Sequence, residues 1–208
     1  MQMPRKSLQE ESKKKKFIYC EGKSEVSYFN MLKRKYNSVN IEIVCIGEGK
    51  IKCVEDTIAR IEAYKNNHKR EKGKIENYVV LDADKMQHED IDACYSLCKE
   101  NNITILFSNV CFEVLILSHY IKLSADQECT TEWLHNKLES NMGIDSYQRF
   151  KGDDYSPYIF DNIQHACSNI EKLNKEYNEQ GIFDLKYHNP FSSISGEVLK
   201  DLFDTKIL

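Results

Sequence analysis

Five carboxylates in this chain stand where chemistry could use them. Glu21 and Glu25 lie four apart in CEGKSE, Asp82 and Asp84 two apart in LDADK, and Glu113 inside the apolar run CFEVLIL. The aspartate pair closes a short apolar segment. Positions i and i+2 of a strand point the same way, so both carboxylates are expected to face one point. Glu21, at the tip of another strand, adds a third oxygen donor. Such a set suits a hard cation, Mg²⁺ or Mn²⁺, and Glu25 could hold a second ion. A phosphodiester is anionic and resists attack. Cations that neutralise its oxygens and lower the pKa of water supply the nucleophile and stabilise the leaving group. Without a cation, mutual repulsion pushes at least one such carboxylate toward protonation. A charge at Glu113 is costly unless paired or metal-bound, which leaves both an active-site role and a buried structural role open.

The elements that must deliver these groups follow from apolar periodicity. Residues 17–20 read as a strand running into Glu21, and residues 24–36 as the next helix. A strand over 41–46 leads through Gly47 and Gly49 into a helix over 51–64. Residues 78–81 form a third strand ending in Asp82. A helix over 89–100, a strand over 103–107 and a buried helix carrying Glu113 complete the series. Ser108 and Asn109 are expected to cap that last helix. Alternating strands and helices predict an α/β layer with a mainly parallel sheet. Ligands bind beyond the carboxyl ends of such strands. From residue 126 onward the pattern is helical, over 132–138, 157–177 and 195–203. The organisation expected is therefore a basic leader (1–16), an α/β layer (17–125) and a helical part packed on the same domain (126–208).

Bulk properties narrow the classes. With 208 residues, one sizeable core is expected. No apolar run reaches the ~20 residues of a transmembrane helix, and the N-terminus lacks the apolar segment of a secretory signal, so a cytoplasmic protein with no membrane role is expected. The eight cysteines then read as reduced, mostly buried thiols, and Cys94 with Cys98 has no second pair at zinc spacing. A net charge of −4 argues against a general nucleic-acid coat. Two basic clusters, Lys13 to Lys16 and Lys65, Lys69, Arg70, Lys72 and Lys74, could follow a phosphate backbone, although solvated segments explain them as well. GEGK, residues 47–50, lacks Walker spacing and reads as a turn into a helix. No G-x-S-x-G marks a serine nucleophile. His119 and Trp133 read as packing residues.

CEGKSEVSYF (20–29), LDADK (81–85), SNVCFEVLILSHY (108–120) and NPFSS (189–193) resemble, in order, the motifs of the RloB-like family. That family's pattern is C-E-G-x-x-T-E-x-x-Y-F, then D-x-D, then S-N-P-C-F-E-x-W-L-x-x-H-F, then N-P-S-T before a final helix. The similarity covers nearly the whole chain after the leader. Ser24 replaces a threonine with one residue fewer after the glycine, Val110 replaces a proline and Leu115 a tryptophan, and the last motif reads N-P-F-S; none of these changes removes a carboxylate. The resemblance implies a Toprim-type fold, here an α/β sheet flanked by helices with a C-terminal helical elaboration. It implies Glu21 as an acid/base or metal-side glutamate, Asp82 and Asp84 as Mg²⁺ (or Mn²⁺) ligands and Glu25 as a second-metal ligand. Glu113 matches the family's C-F-E glutamate. Lys151 resembles a lysine that would contact phosphate, against which a solvated side chain is the plainer expectation. Relatives are similar to components of bacterial anti-phage defence, often encoded beside an ATPase. The activity implied is a metal-dependent nuclease acting on RNA or DNA, an abortive-infection effector working with an ABC-type or AAA-type ATPase, with a homo-oligomer open. The alternative is a non-catalytic interaction or nucleotide-binding module that regulates such an ATPase.

Overall fold

The computed structural model describes residues 14–47, 49–69, 74–84 and 86–205. Most of the expected leader, with Lys13, and Arg70 and Lys72 of the second basic cluster lie outside them. The first half alternates strictly: β1 Lys15–Cys20, α1 Lys23–Lys35, β2 Ile41–Cys45, α2 Lys50–Asn67, β3 Ile75–Asp82, α3 His88–Glu100 and β4 Ile103–Asn109. α4 (Glu113–Leu117), α5 (Thr131–Met142), α6 (Tyr147–Phe150), α7 (Ser156–Ile159), α8 (Ile163–Glu179), β5 (Phe191–Ser192) and α9 (Gly196–Phe203) follow. The sheet runs β2-β1-β3-β4-β5, parallel through β4, with β5 antiparallel at the edge. The expected α/β architecture with a mainly parallel, helix-flanked sheet is therefore observed.

Strand alternation divides the interior in two. Ile18, Cys20, Tyr78, Val80 and Leu106 face the side covered by α1, α4 and the later helices, in a cluster that continues to Phe203. Phe17, Tyr19, Val79, Leu81 and Phe107 face α2 and α3. Burial on both faces is what makes these strands read as unbroken apolar runs. The C-terminal part thus shares its core with the sheet.

Several sequence-based expectations need correction. NPFSS supplies a strand, which two paired residues are too few to announce by alternation; Asn189 fixes its approach through reciprocal hydrogen bonds with the backbone of Cys129 (3.1 and 3.2 Å). The helix expected over 157–177 is interrupted at Phe160–Asn162, a 3₁₀ turn whose Phe160 carbonyl accepts a hydrogen bond from Lys35 (2.5 Å) instead of continuing the α ladder. Ser108 and Asn109 do not cap α4. They remain in β4, where the Ser108 hydroxyl meets Ser192 (3.5 Å) and the Asn109 amide donates to the Lys186 carbonyl (3.4 Å).

Lys14, Lys15 and Lys16 of the first basic cluster are all paired. Lys14 pairs with Glu76 (2.6 Å), Lys15 with Glu42 (2.7 Å) and Lys16 with Asp204 (2.7 Å). Lys16 is 2 % exposed and donates to the last carbonyls of α9, those of Asp201 and Leu202. These ammonium groups tie β1 to its neighbours and to the C-terminal helix, and of the three only Lys16 is buried. All eight cysteines are free, and all but Cys45 are buried, as expected of reduced thiols. His119 is packed and hydrogen-bonded to the carbonyls of Leu115 (3.0 Å) and Ile116 (3.2 Å). No helix among the described residues is long and apolar enough to cross a membrane.

Candidate active site

Strand order fixes where a ligand would lie. From β1 the chain moves outward to β2, and from β3 it moves the other way to β4, so the crevice beyond the carboxyl ends of β1 and β3 is a topological switch point. Glu21 follows the last residue of β1, and Asp82 is the last residue of β3. Between their side chains lies one ammonium. Lys50 Nζ is 3.3 Å from Glu21 Oε2 and pairs with Asp82 Oδ1. The other oxygen of Glu21 accepts from the Gly49 N–H (3.1 Å) at the start of α2.

A second layer lies under α1. A Cβ at Gly22 would strike the Glu25 carboxylate, which folds back over the loop, and would force that side chain to move. That close approach explains why a glycine separates Glu21 from the helix. Glu25 is buried in the first turn of α1, and its Oε2 has no hydrogen-bond partner. Burial pushes its carboxyl up to about 7, with Asp82 and Glu113 adding repulsion and Lys151 opposing it. A helix N-terminus favours a carboxylate by ~0.3–1 kcal/mol, too little to offset this desolvation.

Glu113 is fully buried at the start of α4. Its Oε1 receives Lys151 Nζ (3.1 Å), the Ser24 hydroxyl (3.3 Å) and the Tyr147 hydroxyl (3.3 Å), while Oε2 has no partner. The Tyr147 hydroxyl also bonds to that of Tyr155 (2.7 Å). Burial alone would raise the Glu113 carboxyl, but Lys151 and the Cys111 thiol carry it below its ordinary value. Lys151 is in turn pushed up to about 12: burial lowers it, and Glu113 more than reverses that. Lys151 is thus not the solvated side chain that was the plainer expectation. The neighbouring Asp82 carboxyl is raised by burial and by Glu113 and Glu21, with Lys50 acting against them.

Asp84 is placed differently. β3 ends at Asp82 and Asp84 falls in the turn beyond, so strand alternation no longer governs its direction. Its charge is felt by His135 of α5, whose pKa is lowered by burial while Glu113 raises it, Lys151 lowers it, and Glu139 and Asp84 raise it. Among the described residues, no three His, Cys, Asp or Glu side chains cluster closely enough to share one ion. Strand geometry therefore does not carry the expectation that Asp82 and Asp84 face one point, because β3 ends two residues before Asp84.

Three site residues were not read from the sequence. Lys50 was legible only as the residue after a glycine-rich turn, and its reach to Asp82 depends on β3 lying beside β1. Tyr147, from the same stretch as Lys151, reaches Glu113 across the core. His135 looks like any helical histidine, yet its buried Nε2 lacks a partner and its ring centroid is 5.0 Å from that of Tyr147.

Comparison with curated proteins and with solved structures finds no match. A family model does match. The RloB-like protein model covers residues 16–200, a span that takes in β1 through most of α9 and every residue of the crevice, so the chain belongs to the RloB-like family.

Proposed function

We propose that this protein is a metal-dependent phosphodiesterase, a Toprim-type nuclease acting on RNA or DNA. The observation carrying this reading is the pair Glu21 and Asp82. They come from adjacent strand ends at the switch point and grip a single cationic group between them.

The residues fit a hard cation. The donors are carboxylate oxygens, and the two already close around a positive charge. Glu25 presents a buried oxygen with no partner beside them. Mg²⁺ is commonly held by one or two carboxylates, with water and substrate phosphate completing the set, so a third ligand from Asp84 is not required. When bound there, such an ion would neutralise phosphate oxygens and make water a nucleophile at neutral pH. Glu21 and Asp82 would hold it. Glu25, buried beside them with Oε2 free of any hydrogen-bond partner, is the candidate general acid or base. Glu113 orients Lys151 at the crevice wall, where the ammonium can meet a phosphate oxygen.

The same reading makes the protein the effector of a defence system restrained by an ATPase; its support is the family's resemblance to such systems. The test is incubation of purified protein with tRNA and with plasmid DNA in Mg²⁺ or Mn²⁺, beside Asp82→Ala. Wild type is expected to cut at least one substrate and the variant neither. Equal cutting by both would end the assignment of activity to this crevice. One observation favours the rival, a non-catalytic module: Lys50 satisfies both carboxylates without any ion. Such a module would bind an ATPase equally well after Asp82→Ala and show no metal-dependent turnover.

A further inference from the structure

Lys50 stands where the metal-dependent reading needs a cation. Its ammonium is shared between Glu21 and Asp82, and Gly49, one residue earlier, holds the remaining Glu21 oxygen through its backbone N–H. An ammonium and a divalent ion cannot both occupy this space, because like charges a few ångströms apart repel strongly in a half-buried crevice. Glu25 Oε2, in the first turn of the helix that follows Glu21, is buried and has no hydrogen-bond partner. The second ammonium of the crevice, Lys151, is not interchangeable with it. Its acceptor Glu113 is fully buried, so leaving would strand a dry carboxylate.

We propose that Lys50 is an exchangeable residue of the reaction. Without metal it is the counter-ion of Glu21 and Asp82. A divalent cation displaces it, and the freed ammonium then contacts a phosphate of the nucleic acid. This rests on the metal-dependent reading, and it adds that metal loading converts a carboxylate partner into a substrate contact. The long four-carbon stem of lysine allows the move with α2 left in place.

The test uses the full chain with Lys50→Met and the charge-preserving Lys50→Arg, each checked for folding by circular dichroism, with Lys50→Gln substituting if the methionine variant does not fold. Mn²⁺ binding is measured by calorimetry. If the ammonium occupies the carboxylates more than nine-tenths of the time, Lys50→Met binds Mn²⁺ about tenfold tighter or more, while Lys50→Arg keeps the weak binding. A labelled single-stranded RNA or DNA oligonucleotide is then titrated with Ca²⁺ present, over a range of salt. Lys50→Met is expected to bind it more weakly, with a salt dependence reduced by about one charge. Unchanged Mn²⁺ affinity in Lys50→Met, with measurable binding by wild type, overturns this inference and leaves the metal-dependent reading standing. Absence of Mn²⁺ binding in every protein overturns both. Tighter Mn²⁺ binding with unaltered oligonucleotide binding, or none by wild type, overturns the assignment of Lys50 to phosphate.

Discussion

Glu25→Gln separates burial from charge in the crevice. Burial lifts the Glu25 carboxyl from its ordinary 4.5 to about 7. The sign follows from linkage. A carboxyl whose folded pKa is raised is bound to its proton more tightly in the folded state, so its favourable contribution is complete below the unfolded pKa and is lost as pH rises through the folded one. At about 1.4 kcal/mol per tenfold change in proton affinity, the ionised side chain costs the fold about 3 kcal/mol above neutrality. Glutamine keeps the shape and carries no charge. Urea unfolding in EDTA at pH 5 and pH 8 gives the readout. Wild type should lose about 2 kcal/mol across that interval from this group, and Glu25→Gln should be the more stable protein at pH 8. Its advantage should shrink toward zero as pH falls to 5 and below. An advantage independent of pH, or a variant less stable than wild type at pH 8, would refute the reasoning, because it would mean that the carboxylate is well solvated or that its charge supports the fold.

The Lys151–Glu113 pair runs in the opposite sense. The Glu113 carboxyl is held below its ordinary value, so its contribution is present above the unfolded pKa and lost as pH falls through the folded one. Lys151→Met should destabilise by about 2–3 kcal/mol, short of the ~3–5 of a fully dry pair because over a third of the lysine side chain is exposed. Glu113→Gln combined with Lys151→Met should cost less than the sum of the single changes, a coupling that thermal unfolding of the four proteins would read. At the far end of the sheet, Lys16→Ala should cost about 1–3 kcal/mol, chiefly by leaving the last carbonyls of α9 without their buried donor, since Asp204 keeps its bond from Asn40. Hydrogen exchange should then show faster protection loss in Gly196–Phe203 than in β1; equal loss would show that α9 is held by its apolar face alone.

The sequence revealed whatever depends on neighbours along the chain. Four strands could be placed because each is a short apolar run bounded by turn residues, with β1 and β3 buried on both faces, and the ends of those two carry Glu21 and Asp82. Groups that meet through topology were hidden. Lys50 looked like part of a turn, because its partners lie 29 and 32 positions away and converge only when β3 pairs with β1. Lys151 looked solvated because nothing nearby in sequence indicates that α6 ends over α4. Asp84 was assigned to the same point as Asp82 by extending strand geometry two residues past the last ladder position, where the chain has already turned.

Two helix N-termini and two ammonium groups explain how so many carboxylates can share one crevice. Glu21 takes an N–H at the start of α2, and Glu25 sits in the first turn of α1, where the exposed N–H groups favour negative charge. Lys50 spans Glu21 and Asp82, and Lys151 serves Glu113. These cations do not satisfy the site completely. Glu25 and Asp82 still hold their protons more tightly than free carboxylates would, and both respond to Glu113 as well as to burial. A further positive charge would therefore be stabilised near the ends of β1 and β3, where Lys50 is the ammonium that would have to give way. Added cation should accordingly lower the proton affinity of Glu25, and the pH-dependent instability of wild type in EDTA should flatten when Mg²⁺ is supplied. Persistence of the same pH slope in saturating Mg²⁺ would place any bound ion away from Glu25.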